Sequence, residues 1–166
     1  MGLIIRSSAI HAAGCYTTQP ISTGARVIEY IGPRIDKDEA DAKYENSPTT
    51  YLFGIGDGTM VIDGHGTAMF INHSCDPNCE TEEVDGRVWI RAIRDIAMGD
   101  ELTYDYNLYD GEDDEAYCNC GARSCRKSMY SEEELKRRRR SAARKSSART
   151  RKASKTLERK AVAVRS

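Results

Sequence analysis

The apolar stretches of this chain are short and each gives way to a glycine-bearing turn, which constrains the fold more than any other feature of the sequence. Val27-Ile28-Glu29-Tyr30-Ile31-Gly32-Pro33, Tyr51-Leu52-Phe53-Gly54 and Arg87-Val88-Trp89-Ile90-Arg91-Ala92-Ile93 have strand length and are rich in β-branched or aromatic side chains. Turns at Ser22-Thr23-Gly24, Gly56-Asp57-Gly58, Asp63-Gly64, Asp85-Gly86 and Met98-Gly99-Asp100 punctuate the sequence. The pattern predicts a mainly β body of several small sheets of short strands, with few short helices. Within it only Asp36 to Tyr44 reads as helical, Asp36 serving as N-cap and Glu39 as its capping-box partner. A second helix is expected to open at Ser131 with Glu134 closing the box, and to run into Arg137-Arg138-Arg139-Arg140. With 166 residues the chain has room for one core and a tail.

The net charge of -1 conceals two opposite fields. Residues 136 to 166 hold 14 of the 25 Lys and Arg and a single acidic residue, Glu158, so the tail carries +13 and the rest of the chain about -14. An acidic body attracts basic partners, and a basic arm attracts nucleic acid. From Ser141 the tail is Ala, Arg, Lys, Ser and Thr with almost no large apolar side chain, which predicts disorder when the chain is alone. Apolar runs fall well short of the roughly 20 residues of a bilayer span, so a soluble protein with no membrane partner is expected. The opening Met1-Gly2-Leu3-Ile4-Ile5-Arg6 is too short for a secretory core, and Arg6 breaks the myristoylation pattern.

Cys118-Asn119-Cys120-Gly121-Ala122-Arg123-Ser124-Cys125 sets three thiols within eight residues, with a glycine where the chain must turn to gather them. Tetrahedral zinc needs one ligand more, and an all-cysteine site of that kind is structural. Spacing leaves the fourth ligand open among Cys15, Cys75 and Cys79. Arg123 and Arg126 beside the thiols favour thiolates over a redox pair.

Phe70-Ile71-Asn72-His73-Ser74-Cys75-Asp76-Pro77-Asn78-Cys79 is an apolar lead-in to a polar loop. A nucleophilic Cys-His pair there is disfavoured, because residues two apart seldom face each other and no orienting carboxylate is evident. In Glu101-Leu102-Thr103-Tyr104-Asp105-Tyr106 the period-two spacing puts Tyr104 and Tyr106 on one face of a strand.

Taken in order, the Asn-His-Ser-Cys segment, the run from Arg94 to Tyr106 and the C-x-C-G-x-x-x-C cluster resemble the SET domain of protein-lysine methyltransferases followed by its post-SET zinc segment. Gly14-Cys15-Tyr16 and Ile21 to Gly32 are similar to the opening of the same domain, so the resemblance covers roughly Ile5 to Lys127, without a pre-SET region. It implies that S-adenosylmethionine is held by the backbone of Ala13, Gly14, Cys15 and Tyr16, by Asn72 through its side chain and by His73 through its main chain. Tyr106 is implied as the catalytic tyrosine, which also meets the cofactor, with Tyr30 at the mouth of the lysine channel. Tyr51, with Phe53, is implied to line that channel beside the cofactor. Cys75 becomes the fourth zinc ligand beside Cys118, Cys120 and Cys125. Tyr104, two residues before the catalytic tyrosine, implies a mono- or dimethyl product. The sequence departs from the family at Ala12, Pro33 and Met69, where Gly, an acidic residue and Arg are common.

The expected layout is a SET domain over 1–110, a post-SET segment over 111–130 and a basic helical or disordered tail over 131–166. The expected substrate is a basic protein, histone-like or nucleoid-associated, met by a monomer whose tail at 136–166 contacts nucleic acid. Ala143-Arg144-Lys145-Ser146 resembles the context of methylated lysines in histone tails and offers Lys145 for self-methylation. The competing class is a catalytically weak SET-like module that binds DNA or basic proteins through its tail and acidic body. The presence of Asn72, Tyr30 and Tyr106 together favours the enzyme. Compactness and the Ala/Arg-rich tail suggest a bacterial chain acting in the cytoplasm on nucleoid proteins, or in a host nucleus if exported.

Overall fold

A computed structural model describes residues 2–47, 49–109, 116–144 and 146. The acidic loop at 112–115, Lys145 and the tail from 147 to 166, with the disorder and self-methylation expected there, lie outside the described residues.

The backbone divides into two units, one of Met1–Tyr106 with Tyr117–Met129 and one of Asn107–Ala116 with Tyr130–Ser166. The first begins with a hairpin of β1 (Leu3–Ser7) and β2 (Ala13–Thr17). Next come β3 (Arg26–Tyr30), β4 (Arg34–Asp36), α1 (Lys37–Tyr44), β5 (Leu52–Ile55) and β6 (Met60–Asp63). A single 3-10 turn, Thr67–Phe70, then leads into β7 (Asn72–His73), β8 (Cys79–Val84), β9 (Arg87–Ala92) and β10 (Thr103–Tyr104). Among the described residues the strands form four small sheets, in the orders β1-β2, β3-β9-β8, β4-β6-β5 and β10-β7, the last pair parallel. Each predicted apolar stretch contributes a strand, and the mainly β expectation holds.

β9 alternates as period two requires, with Val88, Ile90 and Ala92 buried and Arg87, Trp89 and Arg91 outward. β3 breaks that rule through a bulge between Arg26 and Ile28, so Val27 and Tyr30 are both buried. On the outward face Arg26 pairs with Glu82 and Arg87 with Glu29, and both guanidiniums flank Trp89. These exposed pairs fix register more than they add stability.

Asp36 caps α1 as predicted, accepting from the backbone of Asp38 and Glu39. The helix is held to β6 by Asp63, which accepts from Lys43 Nζ and Tyr44 Oη at 2.7 Å each.

In the second unit, Leu108 bridges Tyr130, and a helix spans 132–144. Ser131 Oγ accepts from the Glu134 backbone at 3.1 Å, but the expected reciprocal half of the box is replaced. The Glu134 carboxylate takes Arg137 and Arg138 instead, while the Ser131 N–H donates to the Leu108 carbonyl. Charged donors one turn along compete better for a carboxylate than a neutral backbone amide does. The helix also passes the expected disorder boundary at Ser141, because Ala142, Ala143 and Arg144 are strong helix formers. Among the described residues no helix is long and apolar enough to cross a membrane.

Candidate active site

Tyr30, Phe53, Tyr104 and Tyr106 meet in a run of ring contacts inside the first unit. Centroid separations are 5.3 Å for Tyr30–Phe53, 6.3 Å for Phe53–Tyr104 and 4.8 Å for Tyr104–Tyr106. Tyr51 stands at the side against Phe70, at 6.1 Å. Tyr30 Oη donates to the Tyr51 carbonyl at 2.7 Å, and Tyr106 Oη donates to the Ile71 carbonyl at 3.0 Å. The tyrosine pair shares a face as predicted, although its strand is only Thr103–Tyr104.

Asn72 lies between Ile71 and His73, both of which bond to Tyr106, and stands opposite Thr103 in the parallel pair. Its amide donates to the Ala13 carbonyl at 2.9 Å and to Glu101 Oε1 at 2.8 Å. Glu101 also accepts from Ser8 Oγ and from Tyr16 Oη, at 2.8 and 2.9 Å. The chain segment 13–16 and Asn72, brought together here, are thus joined through a carboxylate that the sequence reading passed over. The carboxylate sits close over Gly14, where a Cβ would displace it.

His73 and Cys75 do face each other, against expectation: Nε2 lies 3.4 Å from Sγ because the chain bends at Cys75 and Asp76 on leaving β7. A carboxylate is present too, Asp105 Oδ1 at 3.5 Å from His73 Nδ1. The set is nevertheless no nucleophilic triad, because Cys75 belongs to another group. Its sulfur and those of Cys118, Cys120 and Cys125 all lie within 4.8 Å of one another. Backbone N–H groups point at these sulfurs, Cys75 N at Cys120 Sγ, Arg126 N at Cys75 Sγ and Lys127 N at Cys125 Sγ, each 3.4 Å away. Gly121 makes the turn with φ 75°, the left-handed region its position in the motif required. Cys15 and Cys79 are fully buried elsewhere.

A family model described as the SET domain matches residues 12–107. The chain belongs to the SET-domain family. It is 44% identical over 133 residues to the "Histone-lysine N-methyltransferase, H3 lysine-4 specific" of Eremothecium gossypii, covering 72% of this chain and 14% of that protein. The trithorax histone-lysine N-methyltransferase of Drosophila virilis is 40% identical over 131 residues, covering 72% of this chain and 3% of its own length. The H3 lysine-4 specific protein of Saccharomyces cerevisiae is 41% identical, with 72% and 12% covered. The chain therefore spans only a small part of the curated relatives it matches. Methyltransferases of the SET family take their methyl group from S-adenosylmethionine.

The electrostatics of this SET domain favour orientation over proton abstraction. Burial above all pushes the phenols of Tyr30, Tyr104 and Tyr106 well above their ordinary range, so all three stay neutral. His73 is lowered to about 4, chiefly by burial, with Asp105 opposing and Arg126 assisting. Its neutral Nδ1 accepts the Tyr106 N–H at 3.1 Å, which leaves the proton on Nε2, aimed at Cys75. Both ring nitrogens are engaged, so His73 is not a base for substrate.

In the cluster, burial raises the Cys120 thiol, but hydrogen bonds from the Cys75 and Ala122 backbone and from neighbouring thiols outweigh it and bring it to about 6. Cys118 is pushed up, first by burial. Such a set, with one ready thiolate and several N–H donors facing sulfur, fits a tetrahedral thiophilic cation. Of the two arginines expected to favour thiolates, Arg126 acts in that sense on Cys75, its backbone N–H and its charge both opposing the upward push of burial. Arg123 is exposed, and the Arg126 guanidinium is spent on Asp105, with bonds of 2.7 and 2.8 Å. Sequence reasoning missed Glu101, Asp105 and the pairing of Arg126 with Asp105, although the two carboxylates in an otherwise apolar segment were a signal.

Gly64 supports the aromatic wall from behind. A Cβ there would lie 2.5 Å from Tyr30 Oη and 2.6 Å from the Tyr51 carbonyl. Gly64→Ala is therefore expected to cost about 1–3 kcal/mol, as overpacking does, and to raise KM for a lysine substrate by displacing Tyr30. Denaturant melts and steady-state kinetics check this, and an unchanged KM would count against the role given to Tyr30.

Proposed function

We propose that this SET domain transfers a methyl group from S-adenosylmethionine to the ε-amine of a lysine in a basic protein, giving mono- or dimethyl product. The observation that carries the reading is the buried tyrosine group set directly beside the Asn72–Ala13–Glu101 network. The backbone of Ala13, Gly14, Cys15 and Tyr16, together with Asn72, His73 and Tyr51, would hold the cofactor. Carbonyls and a half-exposed carboxylate suit a cationic ligand. Bound S-adenosylmethionine supplies a sulfonium methyl that the amine nitrogen attacks as the carbon–sulfur bond breaks and its electron pair stays on sulfur.

The protein's own contribution is alignment. Tyr30, Phe53 and Tyr104 exclude water around the entering lysine, and burial favours its neutral, nucleophilic form. Tyr106 has its hydroxyl proton committed to Ile71, so it turns lone pairs toward the reacting centre and orients it. We assign zinc to Cys75, Cys118, Cys120 and Cys125, where it would supply a closed structural link between the post-SET segment and the loop that carries His73.

The acidic body, about -14 in residues 1 to 135, supports a basic partner. Histones are the first substrates to test, because the relatives' names specify histone lysine, with nucleoid-associated proteins beside them. The basic tail supports contact with nucleic acid, and we place the activity with DNA-bound proteins, in a bacterial cytoplasm or a host nucleus.

Tyr104, 7% exposed and in ring contact with Tyr106, supports a limit on product size. Tyr104→Phe is expected to shift the product to the next higher methylation state. Mass spectrometry of a methylated peptide decides it, and an unchanged distribution would remove Tyr104 from this role.

A further inference from the structure

Glu101 holds an unusual position for a carboxylate. It receives three neutral donors, Ser8 Oγ at 2.8 and 3.0 Å, Tyr16 Oη at 2.9 Å and Asn72 Nδ2 at 2.8 Å. Among the described residues no Lys, Arg or His pairs with it, whereas most carboxylates of this unit that meet a partner side chain meet a cationic one. Arg6 lies over the ring of Tyr16, one of the carboxylate's donors, at 6.0 Å and forms no ion pair with the carboxylate. Four segments build this place: the β1–β2 loop, β2, β7 and the residue before Leu102. Gly14 contributes by lacking a side chain where Glu101 sits. A negative group without a cationic partner, fixed at such cost in ordering, suits a cationic ligand better than a structural ion pair.

We infer that Glu101 is the charge-selecting residue of the cofactor site, favouring the sulfonium donor over the neutral thioether left after transfer. The inference rests on the proposed use of S-adenosylmethionine. Donor and product differ at sulfur by one methyl group and one positive charge, so contacts to the adenosine and amino-acid parts cannot tell them apart. A fixed negative charge can, and it does so at a distance. Its neutral donors keep it in place without cancelling its charge. The consequence is weaker product inhibition and faster exchange of spent cofactor for fresh.

Isothermal titration of the whole chain with S-adenosylmethionine and with S-adenosylhomocysteine tests this, in the wild type, Glu101→Gln and Glu101→Asp. Glu101→Gln keeps the size and an acceptor oxygen but removes the charge. It is expected to weaken the donor about tenfold and the product by less than about threefold, the scale of one unit charge at partly screened range. Glu101→Asp keeps the charge and is expected to restore the wild-type donor-to-product ratio even where both affinities fall. Equal losses for the two ligands in Glu101→Gln, or the same altered ratio in Glu101→Asp, would overturn the inference and leave Glu101 as a positioning residue for Asn72. Wild-type protein that binds neither ligand would instead overturn the cofactor reading beneath it. Thermal melts of all three proteins separate these results from simple unfolding.

Discussion

Cys120→Ser, or stripping the protein with a strong chelator, is expected to release one zinc per chain, lower the melting midpoint by about 10 °C and abolish methyl transfer. The size follows from structural zinc, which contributes roughly 10–16 kcal/mol of binding in small folded modules. Even a quarter of that moves the midpoint of a chain this long by about 10 °C. Loss of activity follows from a closed ring of contacts within one unit. Cys75 touches the His73 imidazole, His73 accepts the Tyr106 N–H, and Asp105 between the two site tyrosines is held by Arg126 through two bonds. Arg126 returns to Cys75 through its backbone N–H. A cluster without its metal would release Arg126 and Cys75 together, and with them the backbone that aims Tyr106. Metal content by mass spectrometry, melting and activity on one sample check the chain of cause. Full activity in fully demetallated protein would break it.

The second large effect is expected at Tyr106. Tyr106→Phe removes the one hydroxyl whose proton is fixed on Ile71 and whose lone pairs face the proposed reaction centre. A fall in kcat of about 10²–10³-fold is expected, the range seen when a preorganised polar group at a transition state is removed. Cofactor affinity should change little, since the ring contact with His73 and the backbone bond remain. Stability should drop by about 1–3 kcal/mol because the Ile71 carbonyl loses its donor. Single-turnover rates beside a denaturant melt separate the chemical loss from the structural one.

How far the sequence revealed this site depended on the reach of each contact. The N-cap at Asp36, the left-handed turn at Gly121 and the shared face of Tyr104 and Tyr106 are local, and a few residues determine each. The strands were legible because turns bound them. The bulge at Val27 was not, since it answers to packing against β9. Period and spacing left Cys75 open as the fourth cysteine, because the bend after β7 that carries its sulfur to the cluster is a property of the folded chain. The same bend brought His73 and Cys75 together against the sequence-based expectation. Glu101 escaped notice because its partners stand 29 to 93 residues away. The half-formed capping box at Ser131 shows a different limit, since the motif was present but Arg137 and Arg138 offered Glu134 stronger partners.

The central claim is lysine methylation by this chain, and the most direct test is transfer of radiolabelled methyl from S-adenosylmethionine to histones and to DNA-associated bacterial proteins. Wild-type protein is expected to label lysine in at least one of these, and Tyr106→Phe to label it at least about 100-fold more slowly. Folded, zinc-loaded wild-type protein that labels none of them, or equal labelling by both proteins, would contradict the account.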